Sequence, residues 1–73
     1  MKSKYVTVND TRDITAFANY ALAVDGDVLV KRGVYVIDGK SIMGLYSIDL
    51  SQGACVEYPE TAKEFDEFLD KFI

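Results

Sequence analysis

The sequence predicts an α+β fold, an open-faced sandwich in which helices cover one face of a four-stranded antiparallel sheet. Three observations lead to this prediction. Four short segments are rich in β-branched and aromatic residues, which is typical of strands, and two longer segments repeat apolar residues at helical spacing. The segments follow one another as strand, helix, strand, strand, short helix, strand, helix. In so short a chain, two amphipathic helices can bury their apolar sides only against the same sheet.

Length and charge limit what the protein can be. The 73 residues predict a single domain over residues 1–73 with one small core, because a chain of this length buries only roughly 60% of its unfolded surface. No apolar run approaches the roughly 20 residues that span a bilayer. Since Met1–Lys4 also carries no apolar signal region, we expect a cytoplasmic protein without membrane insertion. The net charge of −4 argues against nucleic acid as a partner.

Histidine is absent from the chain and cysteine occurs once. This excludes an intrachain disulfide and argues against a structural zinc site, which takes its ligands from cysteine and histidine. We therefore expect neither a metal nor a cofactor. Cys55 stands between Ala54 and Val56 and is expected to be a small buried apolar side chain.

The first strand and the first helix follow from two adjacent patterns. Tyr5–Val8 has the alternation of a strand. Either Asp10 or Thr11 can cap the helix that follows, and Asp13 in its first turn favours the positive end of the helix dipole. Asp25–Gly26 is expected to end this helix. The apolar residues at helical spacing are Ile14, Phe17, Ala18 and Ala21.

A hairpin and a short helical turn are predicted next. Asp27–Lys31 and Val34–Ile37 are expected to be antiparallel strands joined by a turn at Arg32–Gly33. Ser41–Tyr46 is too short for a helix with a core face and is expected to form a single turn capped by Ser41. A second turn at Ser51–Gly53 then leads into the last strand.

The last strand and the last helix complete the predicted fold. Ala54–Tyr58 is the fourth strand, and Pro59 is expected to begin the final helix, where its missing N–H costs little. The residues expected to face the core are Phe65, Phe68, Leu69 and Phe72. The acidic residues expected on the solvated side are Glu64, Asp66, Glu67 and Asp70.

The segment after the hairpin resembles a known signature. Lys40–Gly44 has the sequence Lys-Ser-Ile-Met-Gly, and a hydrophobic pair, a serine and a turn into the fourth strand come after it. This pattern is similar to the region around the regulatory serine of HPr proteins, small bacterial phosphocarriers of the phosphoenolpyruvate-dependent sugar phosphotransferase system. The predicted element order is also the HPr order. The resemblance implies an HPr-like sandwich with two long helices and one short helix on one face of the sheet.

The resemblance places Asp10 where the HPr family carries its phosphorylatable histidine. Counted back from Ser41 at the family's spacing, Asp10–Asp13 stands in place of His, a small or polar residue, Arg and Pro. The loop before this position is shorter than usual, and Asp49 replaces a residue that is often glycine. The resemblance therefore implies that no phosphohistidine forms, while Arg12 is retained as a phosphate-binding and docking residue.

The resemblance implies a non-catalytic regulatory and docking protein, not an enzyme, similar to the catabolite-repression relatives of HPr. Its expected switch is phosphorylation of Ser41. Two alternatives remain open: the chain is a phosphocarrier that uses Asp10 as an acyl phosphate, or it is a docking domain that has lost both phosphorylation sites. Asp10 and Ser41 are also ordinary residues for capping a helix.

A group of apolar residues after Ser41 is the expected docking surface. Ile42, Met43 and Tyr46 would lie on the exposed side of the short turn, and methionine and aromatic side chains suit an adaptable surface. In HPr-like proteins the matching patch contacts Enzyme I, sugar-specific permease domains, the HPr kinase and a catabolite control transcription factor. The resemblance implies partners of these kinds.

Overall fold

The chain forms four strands and three helices in the predicted order, as described by a computed structural model of residues 1–73. The strands are β1 (Lys2–Val6), β2 (Leu29–Arg32), β3 (Tyr35–Asp38) and β4 (Ala54–Tyr58). The helices are α1 (Thr11–Leu22), α2 (Ile42–Ile48) and α3 (Lys63–Leu69), with 3₁₀ turns at Leu50–Gln52 and Asp70–Phe72. This order confirms the predicted α+β sandwich. None of the helices has the length and apolar character of a membrane-spanning segment.

The four strands form one antiparallel sheet in the spatial order β1-β4-β2-β3. Successive side chains of a strand point to opposite faces, so each strand presents one set to the helices and one to the open face. β4 follows this rule with buried Ala54, Val56 and Tyr58. Cys55 lies between them on the open face and is only partly buried, so the prediction of a buried cysteine is wrong.

The core is one cluster of 18 buried hydrophobic residues between the sheet and the helices. Phe17 of α1 and Phe65 of α3 meet edge to face, with ring centroids 5.3 Å apart. Phe65 also meets the ring of Tyr58 from β4 at 5.4 Å. Edge-to-face packing suits the ring quadrupoles, so these aromatic side chains tie two helices to the middle of the sheet.

Helix α1 begins at the predicted position and ends earlier than predicted. Asp10 is its N-cap, and the chain leaves the helix after Leu22 instead of continuing to Asp25–Gly26. Gly26 has a φ of 124°, and a Cβ at this position would lie 2.9 Å from Cγ of Pro59. Glycine is therefore required here by both backbone conformation and space.

The last helix is shorter than predicted. Pro59 does not begin it: the Ala62 N–H donates to the Pro59 carbonyl at 3.1 Å in a turn that precedes α3. Helix α3 starts only at Lys63 and passes into a 3₁₀ turn at Asp70. Proline after a strand fits a turn as well as a helix start, because its fixed φ suits both.

The boundaries of the first three strands and the position of the hairpin turn differ by one to three residues from the predicted ones. β1 begins earlier, at Lys2, and ends at Val6. The hairpin turn lies at Gly33–Val34, and Gly33 has a φ of 61° at the first central position, the pattern of a type II′ turn. Such a turn matches the twist of the two strands that it joins.

Candidate functional site

Ser41 is the N-cap of α2. Its backbone is extended, with φ −98° and ψ 114°, and its Oγ accepts a hydrogen bond from the Gly44 N–H at 3.2 Å. The residue is partly buried at the surface and does not lie beneath the sheet. Capping by a serine hydroxyl satisfies one of the free N–H groups at a helix start, which is why the chain enters the helix here.

Helix α2 continues for seven residues, longer than the predicted single turn. It ends at Asp49, which has a φ of 55° and is the one residue other than glycine in the left-handed region. Aspartate tolerates this conformation better than most residues, because its short side chain bonds locally. Here Asp49 Oδ1 accepts from the Ser51 hydroxyl at 2.6 Å. The position that is often glycine in HPr proteins thus keeps a glycine-like backbone.

The side of α2 that faces away from the core carries exposed apolar residues. Ile42, Met43 and Tyr46 expose 37%, 80% and 50% of their surface, whereas Leu45 and Ile48 on the inner side are buried. We call Ile42, Met43 and Tyr46 the α2 patch. The patch begins directly after Ser41, so a charge placed on the serine would lie beside it.

Asp10 and Arg12 form a closed pair at the start of α1. Asp10 Oδ1 accepts from the Arg12 backbone N–H at 2.8 Å, and Asp10 Oδ2 accepts from Arg12 Nη2 at 3.0 Å. The hydrogen bonds from the Arg12 guanidinium and then from its backbone hold the pKa of the Asp10 carboxyl below its usual value. Both Asp10 carboxylate oxygens therefore accept hydrogen bonds from Arg12, the residue that is expected to bind a phosphate.

Two contacts show that α1 and α2 run in opposite directions, so their capped starts lie far apart. At the start of α2, Lys40 Nζ donates to the Val24 carbonyl, just beyond the end of α1, at 2.9 Å. Shortly before α1, the Val8 N–H donates to the Leu50 carbonyl, just beyond the end of α2, at 3.0 Å. Since a 12-residue helix is about 18 Å long, the Asp10 and Ser41 positions are separate sites.

A charged cluster between β1 and α3 is absent from the sequence-based predictions. Lys4 of β1 points to the helix side of the sheet, where its Nζ lies 2.9 Å from Asp66 Oδ1 and 2.6 Å from Asp70 Oδ1. Asp66 also accepts a hydrogen bond from the Tyr58 hydroxyl. The prediction of a fully solvated acidic side of α3 is wrong for Asp66, whose side chain is only 22% exposed.

The cluster shifts the pKa values of its members in defined directions. Hydrogen bonds from Tyr58 and then Lys4 lower the pKa of Asp66 to about 2. Burial and the bond to Asp66 raise the pKa of Tyr58 to about 12. The bonds to Asp70 and Asp66 raise the pKa of Lys4 above its usual value. All three groups are thus held in one charge state over a wide pH range.

We expect stability to fall as the pH drops from about 4 to about 2. In this window the unfolded chain protonates Asp66 near the ordinary value of 3.8, while the folded protein keeps it ionised until about 2. The unfolded state then binds more protons, so acid favours unfolding. Tyr58 has the corresponding effect at alkaline pH. The unfolded chain ionises Tyr58 near pH 10, while the folded protein keeps it protonated until about 12, so stability falls as the pH rises between these values.

The unfolding midpoint temperature measured against pH tests this expectation. Asp66→Asn should show a shallower decrease between pH 4 and 2 than the unchanged protein. Glu67→Gln is the matched control, because Glu67 is exposed on the same helix, and it should keep the original slope. Equal slopes for the protein and Asp66→Asn would show that the Asp66 bonds do not link folding to pH.

A solved structure with the same architecture is the crystal structure of a phosphocarrier protein HPr from Bacillus anthracis str. Ames. It matches this chain with a TM-score of 0.71 and covers 99% of this chain and 96% of that one, at 18% sequence identity. No protein-family model and no curated protein sequence matches the chain. At this low identity the likeness establishes the fold, and it confirms the HPr-like fold predicted from the residues around Ser41.

Proposed function

We propose that this chain, which has the fold of an HPr phosphocarrier, is a non-catalytic regulatory and docking protein related to the sugar phosphotransferase system. Its switch is phosphorylation of Ser41, and it forms no phosphohistidine, because the chain contains no histidine. The observation that supports the proposal best is the placement of Ser41 at the surface, as the cap of α2 directly before the α2 patch.

Phosphorylation of Ser41 changes the surface more than the fold. The serine hydroxyl oxygen attacks the γ-phosphorus of ATP, loses its proton, and ADP leaves. The product carries about −1.5 to −2 charges at pH 7 beside the positive end of α2. Phosphate oxygens can replace Ser41 Oγ as acceptor for the Gly44 N–H, so the helix start is retained. An uncharged hydroxyl next to apolar residues thus becomes an anionic group, which is how such a switch acts.

The α2 patch is the proposed docking surface for the partners. Exposed methionine and aromatic side chains can repack against different surfaces, and Met43 offers most of its surface. The partners that fit are those of HPr-like proteins: the HPr kinase, sugar permease domains and a catabolite control regulator, in the bacterial cytoplasm. Arg12 is the proposed docking residue at the start of α1, where 89% of its side chain is exposed.

A phosphocarrier role for Asp10 is the weaker alternative. The Asp10 carboxylate caps α1 and is paired with Arg12 through both oxygens, which leaves Arg12 poorly placed to hold a phosphate. An incoming phosphate would also meet the negative charges of Asp10 and the nearby Asp13. Capping accounts for Asp10 without any transfer chemistry.

Incubation with Enzyme I and phosphoenolpyruvate separates the two roles. We expect no phosphate on the unchanged protein, because a paired capping carboxylate is a poor acceptor. The variant Asp10→His is the positive control: it restores an imidazole at that position and is expected to take up an acid-labile phosphate. A hydroxylamine-labile phosphate on Asp10 of the unchanged protein would establish the phosphocarrier alternative.

A further inference from the structure

The side chain of Lys40, the residue before Ser41, is directed to the end of α1. Its Nζ donates to the Val24 carbonyl at 2.9 Å, in a partly buried hydrogen bond. Lys40 forms no ion pair with a carboxylate. Its ammonium is therefore held by a backbone carbonyl of another element, and the proposed switch residue stands directly next to this contact.

The Val24 carbonyl lacks any other partner. Val24 follows the C-cap of α1, and its own N–H donates to the Ala21 carbonyl at 3.0 Å. No backbone N–H donates to the Val24 carbonyl, and the last turn of α1 contains no basic residue. Carbonyls at the end of a helix have no partner within the helix and are stabilised by a nearby cation. Lys40 thus supplies from outside the cation that α1 lacks.

The same contact suits the start of α2. Lys40 stands directly before Ser41, the N-cap of α2. The first turn of a helix carries a partial positive charge, so a free ammonium beside it is unfavourable. Because the Lys40 ammonium is bound at the end of α1, its charge interacts favourably with one helix end and is kept from the other.

A second contact seats the segment before Ser41 on the same connection. The Gly39 N–H donates to the Val28 carbonyl at 2.7 Å, and Gly39 is buried. A Cβ at Gly39 would lie 2.5 Å from Cγ1 of Val28, so no side chain fits there. We call residues 38–41 the Ser41 loop. Gly39 and Lys40 fix this loop to the two ends of the connection 24–28 between α1 and β2.

Hydrogen bonds within the Ser41 loop lead from Lys40 to the serine hydroxyl. The Lys40 N–H donates to Asp38 Oδ1 at 2.9 Å, and the Ser41 N–H donates to the Asp38 carbonyl at 3.0 Å. Ser41 Oγ in turn accepts from the Gly44 N–H. Since Lys40 and Ser41 are bound to the same aspartate, a constraint on Lys40 also constrains the place of the Ser41 hydroxyl.

We propose that Lys40 is a positioning residue for Ser41. Its ammonium, bound to the end of α1, holds the Ser41 loop in the conformation that presents the serine hydroxyl at the surface. The inference rests on the proposed phosphorylation of Ser41, which requires the hydroxyl in a fixed place. Misplacing a reacting group by about 1 Å can lower a rate about 100-fold. Lys40 acts through the loop and does not touch the transferred phosphate.

Amide exchange tests the hold on the Ser41 loop without any kinase. Lys40→Met keeps the apolar stem but removes the ammonium. It should speed exchange at Gly39 and Ser41 about tenfold, because losing a hydrogen bond from a charged donor changes a local opening equilibrium by about this factor. Lys40→Arg retains a cationic donor and should keep the original rates. Lys63→Met, the matched control, removes an exposed ammonium of α3 and should also keep them.

Phosphorylation by an HPr kinase and ATP tests the consequence for Ser41. Lys40→Met should lower kcat about tenfold, because the hydroxyl is no longer held in place. KM should change little, since the α2 patch proposed to dock the kinase is intact. Lys40→Arg and Lys63→Met should keep the original kcat.

The two measurements together decide the proposal. Original exchange rates in Lys40→Met overturn it, and a lower kcat at those rates would make Lys40 a direct kinase contact instead. Faster exchange with the original kcat also overturns it. If the unchanged protein takes up no phosphate, the serine switch fails, while the exchange rates still decide whether Lys40 holds the Ser41 loop.

Discussion

Phe65→Ala is expected to lower the free energy of unfolding by about 3–5 kcal/mol. Phe65 is 1% exposed, and its ring contacts Phe17 of α1 and Tyr58 of β4 edge to face. Truncation removes these contacts and leaves a cavity where the two helices meet the sheet. Neighbouring side chains cannot fill such a space completely, because the core is close-packed.

This loss is a large part of the total free energy of unfolding of so small a protein. At about 0.05–0.15 kcal/mol per residue, a chain of this length has a stability of about 4–11 kcal/mol. Urea unfolding followed by circular dichroism gives the change in free energy directly. Phe72→Ala is the matched control: Phe72 is only partly buried beside Phe68, so its truncation should cost clearly less. A cost below about 1 kcal/mol for Phe65→Ala would be inconsistent with a tightly packed centre.

Ser41→Ala is expected to abolish phosphorylation by an HPr kinase while leaving the protein folded. The substitution removes the nucleophile completely, but as the loss of one helix cap it should cost only about 1 kcal/mol of stability. Ser47→Ala is the matched control, because the exposed Ser47 hydroxyl only donates to the Gly44 carbonyl within the same helix. Ser47→Ala should therefore be phosphorylated as the unchanged protein is.

The consequence for docking separates a switch from a constitutive binding domain. If Ser41 is a switch, Ser41→Asp should bind an HPr-dependent permease domain or a catabolite control regulator with clearly altered affinity. Equal capture of Ser41→Asp and the unchanged protein would favour a docking domain that has lost both phosphorylation sites. Met43→Lys, within the α2 patch, should weaken capture in either case.

The positions of α1 and α2 and the residues that cap them could be predicted from the sequence. The apolar residues of α1 recur at helical spacing, and the capping residues Asp10 and Ser41 stand where the two helices begin. Each of these signals depends on neighbours within one or two turns. The order of strands and helices alone predicts an α+β sandwich. The match around Lys40–Gly44 narrows this prediction to the HPr-like fold, which is the fold observed.

Features that depend on distant residues could not be predicted. Lys4 and Asp66 are 62 positions apart, and only the folded sheet brings the helix-facing side of β1 against α3. The sequence offers one hint: Lys2 and Lys4 stand at the same alternate positions of β1 as the buried Val6, so they lie on the helix-facing side of the strand. Pro59 lies in a turn and not at the predicted helix start, and the sequence does not separate the two because the fixed backbone of proline suits both.

The measurement that tests the proposed function most directly is the intact mass after incubation with HPr kinase and ATP. The proposal predicts a gain of one phosphate on the unchanged protein, located at Ser41 by fragmentation, and no gain for Ser41→Ala. An unchanged mass, with a known HPr phosphorylated in the same reaction, would contradict the serine switch.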